Sequence, residues 1–128
     1  KGVYETSCEP DELITKIILP KKQPKQKFGF HEIARRHGDY AMAGVCILQD
    51  MDLNVRVAFF GVADRAVRSI AVENLLSGNS YLSEELIKNA QNALNDIEFE
   101  GDMNAGPEAK QHIAKVVLER ALKEMKND

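Results

Sequence analysis

The side chains of this 128-residue sequence that can do chemistry are few: three histidines, two cysteines and a run of basic residues around two adjacent arginines. His31 and His37 lie six positions apart and share no helical face, and His112 stands on a helical stretch with no cysteine near it, so spacing assembles no metal site. Cys8 and Cys46 have no Cys-x-x-Cys spacing, which excludes an iron–sulfur cluster or structural zinc held by this chain. No serine stands in a Gly-x-Ser-x-Gly context, and neither a P-loop nor a Gly-x-Gly-x-x-Gly after a strand occurs. A general base at His31 or His37 needs an acidic or nucleophilic partner that the spacing does not supply.

Charge is the remaining signal. Lys16, Lys21, Lys22, Lys25, Lys27, Arg35 and Arg36 put much of the positive charge into the first third, while Glu and Asp dominate from Glu84 to Asp102. The basic stretch is either a solvated loop or a face for an acidic partner or phosphate-bearing ligand. A net charge of −3 (17 basic against 20 acidic residues) argues against general nucleic-acid binding.

The elements that must position these groups follow from periodicity. Asp11 to Leu19 is rich in Ile and Leu and closed by Pro20, which predicts a strand; Pro20 to Lys27 is then an exposed basic loop. Phe28 to Arg36 reads as a strand or a short helix. Tyr40 to Leu48 is a continuous apolar run, expected to be a central strand buried on both faces with Cys46 in the core. Leu53 to Phe60 alternates as a half-buried strand and forms an antiparallel hairpin with the preceding one.

Beyond Gly61 the period becomes helical. Asp64 is expected to cap a first helix carrying Val67, Ile70, Ala71 and Leu75, with Arg68 on its face and Gly78 as its left-handed terminus. Ser83 caps a second, with Glu84 and Glu85 in its first turn and Leu86, Ala90, Ala93, Leu94 and Ile97 on one face. The third starts near Pro107 and repeats Ile113, Val117, Ala121 and Met125. Strands precede helices, so the fold class is α+β: a three- or four-stranded, largely antiparallel sheet with one face covered by three C-terminal helices. Residues 1–128 fit one domain. The longest apolar run is too short to cross a bilayer, and unpaired cysteines fit a reducing, cytoplasmic compartment. A start at Lys1-Gly2-Val3, without Met, reads as a piece of a longer polypeptide.

A resemblance sharpens this reading. Phe28-Gly29-Phe30-His31-Glu32-Ile33-Ala34-Arg35-Arg36-His37-Gly38-Asp39-Tyr40, then Phe60-Gly61-Val62-Ala63-Asp64-Arg65-Ala66-Val67-Arg68, resembles the C-terminal domain of the FAD-binding medium subunit of molybdenum hydroxylases of the carbon monoxide or xanthine dehydrogenase type. Glu12-Leu13-Ile14-Thr15 with Leu19-Pro20 is similar to the strand that opens that domain, and His112-Ile113-Ala114 with Leu118-Glu119-Arg120-Ala121-Leu122 to its closing helix. Ala66 replaces a usual Pro, and Ala109-Lys110 stands where the family often has Tyr-Arg, which puts the contact made by that pair in doubt.

The resemblance implies a supporting role. FAD is held mainly by an upstream region of the same polypeptide, none being expected on the isolated chain. Electrons reach it from iron–sulfur clusters on a small subunit after a molybdenum cofactor on a large subunit has oxidised the substrate, and an external acceptor takes them. The parent complex is an FAD-dependent oxidoreductase; the fragment is not catalytic alone, and no residue is assigned a catalytic or metal-binding role. The cofactor-binding candidates are His31, the nearest candidate on the strand from which family members tend to bring a lysine near the flavin, and Arg35 and Arg36, one of which is expected to pair with Asp39 or the fold while the other faces a subunit or the cofactor's phosphates. The competing reading is a stand-alone interaction module that uses the basic Lys21 to Arg36 surface for an acidic partner.

Overall fold

The computed structural model describes residues 5–127. The strands are β1 (Lys27–Ala34), β2 (Ala41–Gln49), β3 (Val55–Phe60) and β4 (Val67–Arg68); the helices are α1 (Ile70–Leu76), α2 (Glu84–Asn92), with a short 3-10 turn at Leu94–Asp96, and α3 (Pro107–Asn127). The strands form one antiparallel sheet in the order β1-β2-β3-β4. Helix α3 lies on β1 and β2, α1 lies on β3, and α2 packs against both helices. The α+β architecture is the expected one.

Alternation along the strands decides which side chains enter the core. Ala43, Val45 and Ile47 of β2 and Val55, Val57 and Phe59 of β3 point at the helices and are buried with Val72, Leu76, Ile87, Leu94, Val117, Leu118, Leu122 and Met125. Cys46 lies on the opposite, uncovered side and is exposed. The strand is therefore not buried on both faces, because all three helices lie to one side, and Cys46 is not a core residue. Segment 28–36 resolves as a strand through its ladder with β2, ending at Ala34, one residue before Arg35.

The turn joining β2 to β3 is built by Asp50, whose Oδ1 accepts from the N–H groups of Asp52 and Asn54, both at 2.9 Å. Hydrogen bonds from Asn54 and from the Asp52 backbone hold its carboxyl below the usual range. Leu53 takes the left-handed conformation (φ 61°) that such turns usually give to glycine, and its carbonyl accepts from the Gly78 N–H at 2.9 Å.

Two elements depart from expectation. Residues 11–19 join no strand of the sheet and are exposed. The first helix begins at Ile70, and its N-cap is Ser69, whose hydroxyl accepts from the Val72 N–H and donates to Asp96 at 2.8 Å; Asp96 also accepts from the Ala71 N–H. Asp64 pairs with Arg65 at 3.3 Å and caps nothing. Val67 and Arg68 pair instead with Phe59 and Ala58, satisfying backbone groups on the β3 edge that a helix would have left open. Gly78 is left-handed (φ 80°), as expected just beyond the helix, and the Ser83 cap accepts from Leu86.

Glu73 ties α1, β3 and β4 together. Its Oε1 accepts from the Val57 N–H at 2.9 Å and from Arg68 Nε at 2.8 Å, and Arg68 closes a second bond to Oε2. Burial opposes its charge, but the bonds from Arg68 and Val57 and the positive charges of Arg68 and Arg56 outweigh it, so its carboxyl sits below the usual range. A lowered folded pKa means that this stabilisation is complete above the ordinary carboxylate range and is lost as pH falls through it. Glu73→Gln should lower unfolding free energy by about 1–2 kcal/mol at neutral pH, discounted because Arg68 is half exposed, and should flatten the acid limb of stability against pH; urea titrations at several pH values check both.

Candidate functional site

The helix-free face of the sheet is organised in three cross-strand rows. Phe28, Leu48 and Arg56 form one; Phe30, Cys46, Ala58 and Arg68 the next; Glu32, Gly44 and Phe60 the third. Gly44 has a clear reason to be glycine: a Cβ there would lie 2.1 Å from the Phe60 ring, which occupies the space above the strand and stacks on Phe30 with centroids 6.0 Å apart. Phe28 and Phe30 remain about half exposed, and Lys22 Nζ sits 5.2 Å from the Phe28 ring centroid. An open cleft of about 490 Å³ on this face is lined by Phe28, Cys46, Leu48, Arg56 and Arg68 among others. Desolvation by its neighbours raises the pKa of the Cys46 thiol.

The three residues singled out from the sequence do not converge on one spot. His31 points to the other side of β1, towards α3: its Nδ1 lies 3.3 Å from Glu124 Oε1, and its Nε2 is 3.3 Å from Arg120 Nη1. Arginine can only donate, so Nε2 accepts from Arg120, and Nδ1–H donates to Glu124. Arg35 and Arg36 leave the strand and enter a turn in which the Asp39 N–H donates to the Arg36 carbonyl at 3.1 Å and Gly38 takes φ 81°, a geometry that favours glycine. Both side chains are exposed. Among the described residues neither guanidinium has a carboxylate partner, so the expected pairing with Asp39 is not made.

Sequence reasoning met Lys110 only as a departure from the family's pattern and missed its role. It is buried, its Nζ donates to the Gly61 carbonyl at 2.7 Å, and it pairs with Asp102 Oδ2 at 2.9 Å. Asp102 also accepts from the N–H groups of Asn104 and Ala105, and the Lys110 bond first, then the Asn104 bond, keep its carboxyl below the usual range. Gly61 (φ 74°) could carry no side chain, since a Cβ would lie 2.6 Å from the Ala41 carbonyl oxygen. Lys110 thus clamps the end of β3 to the loop before α3. The signal that could have found it is a cation in the first turn of a helix, where the dipole disfavours one.

An open sheet backed by helices, with ion pairs that serve the fold, defines an α+β domain. Residues 28–125 match the model described as CO dehydrogenase flavoprotein C-terminal domain, and the chain belongs to that family. The nicotine 6-hydroxylase medium subunit of Paenarthrobacter nicotinovorans is 27% identical over 127 residues, covering 96% of this chain and 44% of that protein. The glyceraldehyde dehydrogenase medium chain of Sulfolobus acidocaldarius is 28% identical over 130 residues, covering 98% of this chain and 46% of that protein. The solved carbon monoxide dehydrogenase of Hydrogenophaga pseudoflava, in a form lacking the Mo-pyranopterin moiety of the molybdenum cofactor, superposes with a TM-score of 0.85 at 25% identity over 98% of this chain and 45% of that chain. The chain spans a little under half the length of these relatives.

Two substitutions probe the geometry. Gly44→Ala should displace the Phe60 ring, lose about 1 kcal/mol, and weaken the near-ultraviolet circular dichroism of the aromatic pair. Lys110→Met should cost about 3 kcal/mol, since it leaves Asp102 without its cation and the Gly61 carbonyl without a donor; chemical denaturation measures it.

Proposed function

We propose that this chain is the C-terminal domain of the FAD-carrying medium subunit of a molybdenum hydroxylase of the carbon monoxide or xanthine dehydrogenase type, and part of a longer cytoplasmic polypeptide. The observation that carries the proposal is the family match across the sheet and α3, joined to superposition of nearly the whole chain on less than half of a carbon monoxide dehydrogenase chain. In this reading an upstream region of the same polypeptide holds most of the flavin, and the domain helps enclose it and docks against the large molybdenum and small iron–sulfur subunits. Bound FAD supplies the chemistry that passes electrons from iron–sulfur clusters to an external acceptor.

The residues present suit a dianionic, aromatic cofactor. Arg35 and Arg36 present guanidinium groups that no carboxylate neutralises among the described residues, and their planar donors match phosphate oxygens. His31 is held in one tautomer by Arg120 and Glu124, so its ring has a set orientation at the β1 edge of the sheet and is a quarter exposed. The role of this chain is to position: it orients donors and excludes water on one side of the flavin, and moves no proton of its own. The uncovered aromatic face, with Phe28 and Phe30, supports docking in the assembly.

The complete subunit should be yellow, with flavin absorbance in stoichiometric amount. Arg35→Ala with Arg36→Ala should weaken flavin retention about tenfold, equivalent to about 1.4 kcal/mol, and His31→Ala should shift the flavin reduction potential while leaving the fold intact. A colourless complete subunit would sink the proposal, and indifference to all three substitutions would remove these residues from the cofactor site.

A further inference from the structure

The segment between Glu12 and Pro20 is at odds with its surroundings. Leu13, Ile14, Ile17, Ile18 and Leu19 are 85%, 67%, 81%, 77% and 81% exposed, five large aliphatic side chains within seven residues. Their backbone forms no helix or turn and belongs to no ladder of the sheet among the described residues. The composition is that of a strand, and water is an unfavourable place for so much apolar surface.

The pattern also says what kind of strand. With a period of two, Leu13, Thr15, Ile17 and Leu19 share one face, and Ile14, Lys16 and Ile18 the other. Both faces are mainly apolar, as in strands covered on both sides, whereas a strand on a sheet with one wet face alternates with polar residues. The sheet described above has that wet face, which makes it a poor host. A two-sided strand needs a sheet with layers on either side of it.

The lengths indicate where that sheet is. The family match begins at residue 28, after this segment, yet the matches to the medium subunits take in 96% and 98% of the chain while covering only 44% and 46% of those proteins. The segment is thus shared with the medium subunits but precedes the stretch that matches the C-terminal family. We infer that residues 12–19 are a strand of a different sheet, pairing with the edge of a covered sheet in the upstream region of the same polypeptide and so stapling that region to the domain across the Pro20–Gln26 connection. The inference rests on the reading of the chain as part of a medium subunit. It assigns the basic connection, with Pro20 and Pro24, the role of a hinge between the two units.

Hydrogen exchange on the complete subunit tests this, with flavin content measured on the same sample. Amides 13–19 should be protected about a hundredfold or more over their intrinsic rates, comparably to β2 and independently of protein concentration. Leu13→Asp with Ile17→Asp should abolish that protection while β2 remains protected. Fast exchange of 13–19 in a yellow subunit would overturn the strand assignment alone and leave the flavoprotein reading standing. Protection that grows with protein concentration would overturn it in favour of pairing with a second copy. A colourless subunit with protected 13–19 would uphold the strand while removing the flavoprotein reading; a colourless one with fast exchange removes both.

Discussion

The close approach of α3 to β1 at Gly29 is the constraint on which the rest of the structure depends. A Cβ at that position would lie 2.8 Å from Met125 Sδ and 3.0 Å from the Ala121 carbonyl oxygen, so the helix backbone is seated almost on the strand. Only glycine permits this, and Lys27 strengthens it by donating to the Met125 carbonyl at 3.2 Å, near the end of α3 where a cation also suits the dipole. The last element thereby closes on the first strand, and α1 and α2 pack beside it on the same side of the sheet. The uncovered side follows as a consequence.

From that asymmetry come the features available for function. The same alternation that sends Val45 and Ile47 under α3 sends Phe30, Cys46 and Phe60 outward, where Gly44 lets the Phe60 ring lie across the strand. The charged side chains divide in a similar way. Glu73 with Arg68 and Lys110 with Asp102 are spent on the fold, holding β3 to α1 and to the loop before α3. Arg35 and Arg36 lack such partners among the described residues and stand on a turn. Two ion pairs are thus spent inside the fold, while the two adjacent arginines are offered to solvent.

Helices α2 and α3 were legible in the sequence because their signals are local: Ser83 before two glutamates, Pro107 in a first turn, and apolar residues at helical spacing. The hairpin was legible for the same reason. Asp64 misled because it is a good cap in isolation, and only the open edge of β3 showed that Val67 and Arg68 were needed as a strand. The apolar run of β2 misled because periodicity cannot say how many faces of a strand are covered; exposed Cys46 records the difference. Of the candidate residues, the positions of Arg35 and Arg36 beside a Gly-Asp turn were readable, whereas the partners of His31 come from α3, some ninety residues away.

Sequence alone determined the β2–β3 hairpin, helices α2 and α3, the order of strands before helices, and the family, since each of these is written in neighbouring residues or in ordered short motifs. The tertiary structure decided which face of the sheet is open, that His31 turns to Arg120 and Glu124, that Lys110 is a buried clamp, and that residues 12–19 stand outside the sheet. These depend on groups far apart in the chain meeting in space, and the energy of such a meeting is set by distance and burial, which no stretch of sequence contains.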